Sequence, residues 1–374
     1  EDYTKLLLIV PDDEIVLYNR GLNKQRLKDF TGAIKDYSQA LKINDKYKKA
    51  YFERAFSKAQ IGNHYGSIKD YSKVIQLDQE DHIALTNRGL SKEKIKDYKG
   101  AISDYSQALE INQNYESAYF SRAFLKNKLG DYSGSLEDYS KLIKLNPNSH
   151  IYFAFRGRIK NDLEDFEGAL SDFSKSIEIN ENYSYAYSSK GFTKASISDH
   201  KGAINDFSKA IEIDPNDFYS FASRGRSKSL LKDFKGALSD FSKSIEINKN
   251  YSYAYFERAY LNAQLGNHKI AIEDYSKVIE INPSDNLAYE NRAISKGILG
   301  NINGAISDNE IAYEISNKNE KFINGLKLFD NYWIWGKYEK MMPLITKMRS
   351  QLKVSDQNTN NNQARILYAE ALYK

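Results

Sequence analysis

The sequence predicts an all-α protein built from pairs of antiparallel helices that stack on one another. Three observations carry this prediction. A core phrase, Gly-Ala-Ile-x-Asp followed by Tyr or Phe and then Ser, recurs with a fixed period of thirty-four residues. Within each period the apolar residues lie on two helical stripes. One polar turn separates the stripes, and another closes the unit. Repeats of this length are stacked supersecondary units that bury their apolar faces against their neighbours.

The period is kept without insertion or deletion over most of the chain. Residues 14–319 form nine consecutive units of this length, which we interpret as nine tandem repeats. The segment from Gly168 to Tyr187 returns two periods later, from Gly236 to Tyr255, with one mismatch in twenty positions. Residues 1–13 align with the second half of a unit. We therefore expect them to be the second helix of a truncated preceding repeat, in a protein that extends upstream.

Cap and turn residues predict the ends of the helices within a unit. Asp29 precedes the second helix as an N-cap, and Asp or Asn stands at the same position in each of the remaining units. Gly32 starts a glycine register three residues later, which we interpret as the place where the two helices approach each other. Polar turns such as Asn146-Pro147-Asn148 close the units. Each unit is therefore predicted to hold two helices of about 12 to 14 residues.

The regular repeats end at residue 319, and three further segments follow. Residues 320–352 are predicted to be a degenerate tenth helix pair, residues 353–363 a polar linker, and residues 364–374 a C-terminal capping helix. The Trp and Met residues of the chain are concentrated in the degenerate pair. We interpret them as a larger capping core, with a dedicated partner pocket as the alternative. They include Trp333, Trp335, Met341, Met342 and Met348.

Residues at matched positions of the units resemble one known family. A small residue occupies the position of Gly21 on the first helix and of Ala33 on the second helix in all nine units. An aromatic residue occupies the position of Tyr37 in eight of them. Together with the period and the closing Pro, this pattern resembles the tetratricopeptide repeat throughout residues 14–319. The resemblance implies a right-handed superhelical solenoid with a concave groove that binds peptide segments.

Charged residues also recur at fixed positions of the repeats. Arg20 starts a register on the first helices that is Arg except at Lys190, and Lys follows four residues later in eight of the nine units. Asp36 starts an invariant Asp register on the second helices. Because basic residues four apart on one helix repel each other, we expect the acids to compensate them.

We therefore predict a structural ladder of ion pairs, either within a unit or between neighbouring units. Lys190 should be its weakest rung, because Lys lacks the Arg fork. A phosphate-binding or nucleic-acid stripe is disfavoured, because the matching acids would cancel its potential. The predicted ladder comprises Arg20, Asp36, Arg54, Asp70, Arg88, Asp104, Arg122, Asp138, Arg156, Asp172, Arg224, Asp240, Arg258 and Asp274.

The family resemblance also implies where a partner binds. In that family three rows of residues on the first helices line the groove, and here many of those positions are aromatic. Pairs such as Phe120 and Phe124 are four residues apart on one helix, so each pair forms an apolar patch. Three interpretations stay open: the rings bind a partner, they pack against adjacent first helices, or they mediate self-association. The candidate groove residues are Tyr18, Phe52, Phe56, Phe120, Phe124, Arg158, Phe192, Arg226, Tyr253, Phe256 and Tyr260.

Composition disfavours several classes of function. The 374 residues contain no Cys, which excludes disulfide frameworks and thiolate metal sites, and the formal net charge of +4 is too small to imply a polyanionic partner. The five His fall in two registers at opposite ends of a helix, so we expect no two of them to share a metal. No glycine-rich phosphate loop or nucleophile elbow is present. We predict no catalytic residues, no metal and no cofactor.

The predicted function is a non-catalytic interaction scaffold that binds partner peptides or proteins in its groove. The alternative is a regulatory or sensor arm of a larger polypeptide, including an enzymatic one. We expect no nucleic-acid partner, because the period and the near-neutral charge disfavour recognition of single-stranded RNA by helical hairpins. The longest aliphatic run, residues 6–10, is too short to span a membrane, and we expect a cytoplasmic location.

Overall fold

The computed structural model describes residues 2–10 and 12–351. Over these residues the chain forms twenty-one α-helices and one short 3-10 helix with no strand, which confirms the all-α prediction. Nine helix pairs run from Glu14 to Ile315 at the predicted period. Contacts between helices divide the chain into two compact units, which we call unit 1 (Glu1–Ser189) and unit 2 (Lys190–Lys374).

Each pair consists of a first helix of 13 residues and a second helix of 14 residues. The first helices are α2 (Glu14–Arg26), α4 (Lys48–Gln60), α6 (His82–Lys94), α8 (Glu116–Lys128), α10 (His150–Asp162), α12 (Ser184–Ser196), α14 (Phe218–Leu230), α16 (Ser252–Gln264) and α18 (Asn286–Ile298). The second helices are α3 (Phe30–Ile43), α5 (His64–Leu77), α7 (Tyr98–Ile111), α9 (Tyr132–Leu145), α11 (Phe166–Ile179), α13 (His200–Ile213), α15 (Phe234–Ile247), α17 (His268–Ile281) and α19 (Ile302–Ile315).

Further helices flank the nine pairs. Helix α1 (Asp2–Ile9) precedes them, and α20 (Lys318–Ile334), the 3-10 helix (Tyr338–Lys340) and α21 (Met341–Gln351) follow. The linker and the capping helix predicted for residues 353–374 lie outside the described residues.

The core of each pair forms around one residue of the second helix. Tyr37 of α3 is fully buried, and the aromatic residues at its position in the next seven pairs are at most 1% exposed. The ring lies against the backbone of the first helix: a β-carbon on Gly21 would lie 2.6 Å from Tyr37 Cε1, too close for a non-bonded contact. The small residue on the first helix thus permits the close approach of the two helices.

The turn between the two helices of a pair passes through the left-handed backbone region. Glu164 adopts a φ of 62°, and Gly130, at the same position of the preceding pair, a φ of 83°. Asp165 N then donates to Lys160 O at 2.8 Å, which closes the end of the first helix. Glycine adopts this conformation without strain, whereas a residue with a β-carbon does not. The strained residues at this position are Lys28, Lys96, Glu164, Ser198 and Lys232.

The glycine three residues after each cap makes room for that cap. Asp29 Oδ1 accepts a hydrogen bond from Gly32 N at 2.8 Å. A β-carbon on Gly32 would lie 2.1 Å from Asp29 Oδ2, so the interpretation of this glycine as a contact between the two helices is wrong. The eighth pair shows what happens without the glycine. There Ile270 takes its place, and Asn267 makes no side-chain capping bond.

Helices α19, α20 and α21 form a separate core. Met341 and Met348 are buried in it, and Trp335 and Met342 pack against the buried cluster. Trp333 instead is 46% exposed. Four of the five Trp and Met residues named above therefore contribute to packing at this end of the described chain.

Candidate functional site

Each Arg of the predicted ladder holds the Asp of its own helix pair through two parallel hydrogen bonds. Arg20 Nε donates to Asp36 Oδ2 at 2.9 Å, and Nη2 donates to Oδ1 at 2.7 Å. The Asp36 side chain is only 2% exposed. The pairing therefore lies within one helix pair and not between neighbouring pairs. The sequence left both arrangements open. The same fork joins Arg54 to Asp70, Arg88 to Asp104, Arg122 to Asp138, Arg156 to Asp172, Arg224 to Asp240, Arg258 to Asp274 and Arg292 to Asp308.

The third guanidinium nitrogen ties a pair to the one before it. Arg54 Nη1 donates to the hydroxyl of Ser38, on the second helix of the preceding pair, at 3.1 Å. Lys58 Nζ lies 2.7 Å from Asp70 Oδ2 and supplies a second cation to the buried acid. Because these donors are used inside the stack, the ladder stabilises packing and leaves little capacity for an external anion.

The sixth pair is the exception in the ladder. Lys190 stands in place of Arg and makes no ion pair with Asp206, whereas Lys194 Nζ lies 2.7 Å from Asp206 Oδ2. The Asp206 side chain is 12% exposed, against at most 6% for the ladder acid of the other eight pairs. This rung lacks the Arg fork altogether.

Within each unit the candidate groove residues lie on the first helices, at positions that we call the first-helix face. It comprises three rows of first-helix residues that start at Ile15, Tyr18 and Leu22 and take one residue from each successive helix pair. In unit 1 the helices α2, α4, α6 and α8 contact one another in order, and in unit 2 the helices α14, α16 and α18 do so. Each of these two runs of helices therefore presents the three rows side by side.

The row that starts at Leu22, the third row, carries exposed aromatic rings. In unit 1 Phe56 is 37% and Phe124 is 43% exposed, and in unit 2 Phe192 is 41% and Tyr260 is 45% exposed. These rings alternate along the chain with other side chains. The intervening members of the row are Leu90, Arg158, Arg226 and Ile294.

The row that starts at Tyr18, the second row, is part of the packing. The Phe52 ring makes an edge contact with the buried Tyr71 ring at a centroid distance of 5.3 Å. Phe120 contacts the rings of Tyr139 and Phe155 at 6.0 and 5.7 Å. The Tyr18 and Phe256 rings contact the buried rings of Tyr37 and Tyr275 at centroid distances of 5.8 and 5.6 Å. Each aromatic pair on a helix therefore has one ring that extends the core and one that stays exposed.

The two Arg residues of the third row already bond to acids on the first helices. Arg226 pairs with Glu257 of the next first helix, and Arg158 Nε donates to Asp162 Oδ1 at 3.2 Å. Both Arg side chains remain more than half exposed, at 53% and 54%. Burial raises the pKa of Glu257, although hydrogen bonds from Arg226 and Tyr253 act in the opposite direction. Glu257 was not among the predicted residues, because no acid recurs regularly at its position.

Two histidines at the starts of first helices contact asparagines in the turns that follow second helices. His82 Nε2 lies 3.2 Å from Asn112 Nδ2, and His150 Nε2 lies 3.3 Å from Asn180 Nδ2. Residues 2–10 and 12–351 contain no group of three or more His, Cys, Asp or Glu that could hold a metal ion. Within the same residues no helix combines the length and the apolarity needed to cross a membrane.

The repeats match an established family. Models described as tetratricopeptide repeat match residues 16–47, 83–115, 116–149, 184–217 and 252–285, and each match falls on one helix pair. The chain belongs to the tetratricopeptide repeat family.

The chain is similar to several solved structures. A tetratricopeptide repeat protein from Parabacteroides merdae is 18% identical, with a TM-score of 0.55 over 66% of this chain and 98% of that one. The anaphase-promoting complex hetero-tetramer Cut9–Hcn1 is similar at 15% identity, with a TM-score of 0.52 over 79% of this chain and 58% of that one. Yeast Tom70 is 14% identical, with a TM-score of 0.49 over 96% of both chains. No curated protein matches the chain.

Proposed function

We propose that this tetratricopeptide repeat protein is a non-catalytic scaffold that binds partner proteins or peptides along its first-helix face. The third row carries the proposal, because its aromatic members leave more than a third of each side chain exposed. Grouped exposed apolar side chains are typical of interaction sites, and aromatic residues are enriched at binding interfaces. The fold supports an interaction role, since Cut9 is described in a hetero-tetramer with Hcn1.

The chemistry of the third row favours an extended partner segment with spaced apolar side chains. Phe56 and Phe124 in unit 1 are separated by Leu90 of the intervening pair, and Tyr260 in unit 2 is flanked by Arg226 and Ile294. Apolar anchors would pack on the rings, and the half-exposed Arg residues keep unused N–H donors for carboxylates. A partner would thus meet apolar sites in alternate pairs, with aliphatic or basic contacts between them.

The test removes the exposed rings from each unit in turn. Purified wild-type chain captures its partner, which is identified by mass spectrometry and purified, and binding is then measured for Phe56→Ala/Phe124→Ala and for Phe192→Ala/Tyr260→Ala. We expect at least one double variant to bind at least about thirtyfold more weakly, because truncating one hot-spot ring typically costs about 2 kcal/mol.

The matched control is Tyr65→Ala. Tyr65 lies on a second helix and is 74% exposed, so it tests the loss of a surface ring away from the face. Thermal unfolding by circular dichroism verifies that all variants are folded. Unchanged binding by both double variants would show that the partner does not bind at this face. Sedimentation of the free chain tests self-association, and a salt-titrated RNA assay tests the nucleic-acid alternative.

A further inference from the structure

The ninth helix pair departs from the others at two positions that contact each other in the eighth pair. There Phe256 of α16 contacts the buried ring of Tyr275 of α17, with ring centroids 5.6 Å apart. The corresponding residues of the ninth pair are Glu290 of α18 and Asn309 of α19. Both members of a ring contact are thus replaced by polar residues, and Asn309 stands where the eight earlier pairs bury a ring.

A cavity of about 260 Å3 lies at these two residues, within unit 2. Ile294, a member of the exposed third row, forms part of its wall together with Leu328 of α20. The cavity therefore adjoins the first-helix face. A water molecule occupies about 30 Å3 of liquid, so the space is large enough for a side chain of a partner. The remaining lining residues are Ala312, Asn324, Lys327, Asp330 and Asn331.

The Glu290 carboxylate in this wall is only partly satisfied. Its Oε2 accepts a hydrogen bond from Lys327 Nζ at 2.9 Å. Its Oε1 is buried and has no hydrogen-bond partner. The Glu290 side chain is 16% exposed, whereas that of Lys327 is 56% exposed. A buried carboxylate oxygen without a donor is unfavourable, and the terminal Glu torsion is soft, so a partial rotation of the Glu290 carboxylate would turn Oε1 towards a donor in the cavity.

The charge of the lining favours a cation. Glu290 and Asp330 contribute two negative charges and Lys327 one positive charge, so the wall carries a formal net charge of −1. The amide oxygens of Asn309 and Asn331 add acceptors of the kind that ammonium and guanidinium groups bind. Lys327 is exposed enough to move aside or to share the carboxylate.

We propose that this cavity is an anchor site for a basic side chain, lysine or arginine, of a partner segment bound along the first-helix face. The inference rests on the proposed function, because it assigns the chemistry of one residue of that partner. The aliphatic stem of the basic residue packs against Ile294 and Leu328, and its cationic head donates to the Glu290 carboxylate once that group rotates to present Oε1 to the cavity. A charge-assisted hydrogen bond of this kind is among the stronger side-chain contacts.

The site can be tested without a partner by using small analogues of the arginine side chain. The full chain is labelled with 13C at the methyl groups of Ile, Leu and Ala, and n-butylguanidinium is titrated while the methyl signals of Ile294, Leu328 and Ala312 are followed. The matched probe is n-butylurea, which has nearly the same shape but no charge. Two variants complete the design. Glu290→Gln removes the charge and keeps the shape, and Asn309→Tyr restores the ring found in the earlier pairs.

We expect saturable shifts at the three methyl groups with n-butylguanidinium and none with n-butylurea. Binding should weaken at least about tenfold in Glu290→Gln and vanish in Asn309→Tyr. Equal responses to both probes, or no effect of Glu290→Gln, would overturn the proposal, as would the absence of any shift. If the cavity binds the cation but the ring variants of the third row leave partner binding unchanged, only the proposed function is refuted. The opposite pair of results would refute only the cation site.

Discussion

Arg122 and Asp138 are joined by two parallel hydrogen bonds, from Nε to Oδ2 at 2.9 Å and from Nη2 to Oδ1 at 2.6 Å. The third donor, Nη1, reaches the hydroxyl of Ser106 at 2.9 Å. Since Ser106 lies on α7 and Asp138 on α9, one side chain of α8 holds three helices of two successive pairs together. The Asp138 side chain is 4% exposed, so the pair is shielded from solvent.

Replacing Arg122 with Met should destabilise the chain by about 3 kcal/mol, because it leaves a buried carboxylate with Lys126 as its only remaining cation. Adding Asp138→Leu to this variant should recover more than half of the loss, since a well-packed apolar pair often replaces a buried ion pair without cost. The measurement is urea unfolding followed by circular dichroism.

An exposed ion pair serves as the control for the ladder prediction. Lys175 and Glu178 pair on the surface of α11 with side chains 45% and 69% exposed. Lys175→Met should change the free energy of unfolding by less than about 1 kcal/mol. If Arg122→Met costs no more than Lys175→Met, the ladder has no structural role.

The cap of α9 predicts a substitution whose effect changes sign. Gly134→Ala should destabilise by about 1 kcal/mol, because its β-carbon would lie 2.4 Å from Asp131 Oδ2 and displace the cap. In the Asp131→Ala background no cap remains to be displaced, and Ala is a better helix former than Gly by about 0.5 to 1 kcal/mol. Gly134→Ala should therefore stabilise that background. A double-mutant cycle in thermal unfolding measures the effect, and strictly additive losses would contradict the assignment of this glycine to the cap.

The left-handed turn residues predict opposite effects for two nearby substitutions. Glu164 has a φ of 62°, so Glu164→Gly should raise the free energy of unfolding by up to about 1 kcal/mol through relief of strain. Glu167 lies in the first turn of α11, where Glu167→Gly should lower it by up to about 1 kcal/mol. Melting temperatures compared under identical conditions decide the matter. A loss of stability in both variants would mean that the strain at Glu164 is not significant.

The sequence predicts the repeat architecture because nine copies average out local exceptions. The ladder follows from two registers that never lose their charges, so the register of Asp138 is identified as the source of acids for the register of Arg122. The register does not show how one pair rotates against the next. For this reason only the structure shows the bond from Arg122 to Ser106 of the preceding pair. Only the structure also shows that the ion pairs form within one helix pair and not between neighbouring pairs.

The sequence also does not show which ring of a first helix is buried, or why a given position carries glycine. Phe120 and Phe124 lie on one face of one helix, so their pattern is the same, yet only Phe124 points away from the neighbouring rings. At Gly32 a small residue is equally expected for helix contact and for a cap, and only the 2.1 Å distance to Asp29 decides. The cavity at Glu290 could not be predicted, because the sequence does not show that the registers of Phe256 and Tyr275 are in contact.

Glu257 predicts a pH dependence of stability. Burial raises its pKa in the folded chain above the ordinary value of 4.5, against the lowering effect of Arg226. Its stabilising contribution is therefore full below about pH 4.5 and is lost as the pH rises through the folded-state pKa. The difference in stability between the wild type and Glu257→Gln should decline over that range by no more than about 1.4 kcal/mol per pH unit.

The variant Arg226→Leu provides the comparison for this titration. Without the cation that lowers the pKa of Glu257, the decline should extend to higher pH. Unfolding free energies measured from pH 4 to pH 8 test both statements. A wild-type advantage over Glu257→Gln that grows with pH would show that the ion pair with Arg226 outweighs burial.

Because Phe120 packs against other rings and Phe124 is exposed, we expect Phe120→Ala and Phe124→Ala to affect different properties. Phe120 contacts the rings of Tyr139, Tyr152 and Phe155, so its removal leaves a gap in the packing and should cost about 2 to 4 kcal/mol of stability. Phe124 is 43% exposed, so its removal should change stability by no more than about 0.5 kcal/mol. The comparison combines chemical unfolding with partner binding for each single variant. If Phe124 is a ligand contact, its variant retains stability and loses affinity, whereas a large loss of stability in Phe124→Ala would assign this ring to the core and remove it from the binding face.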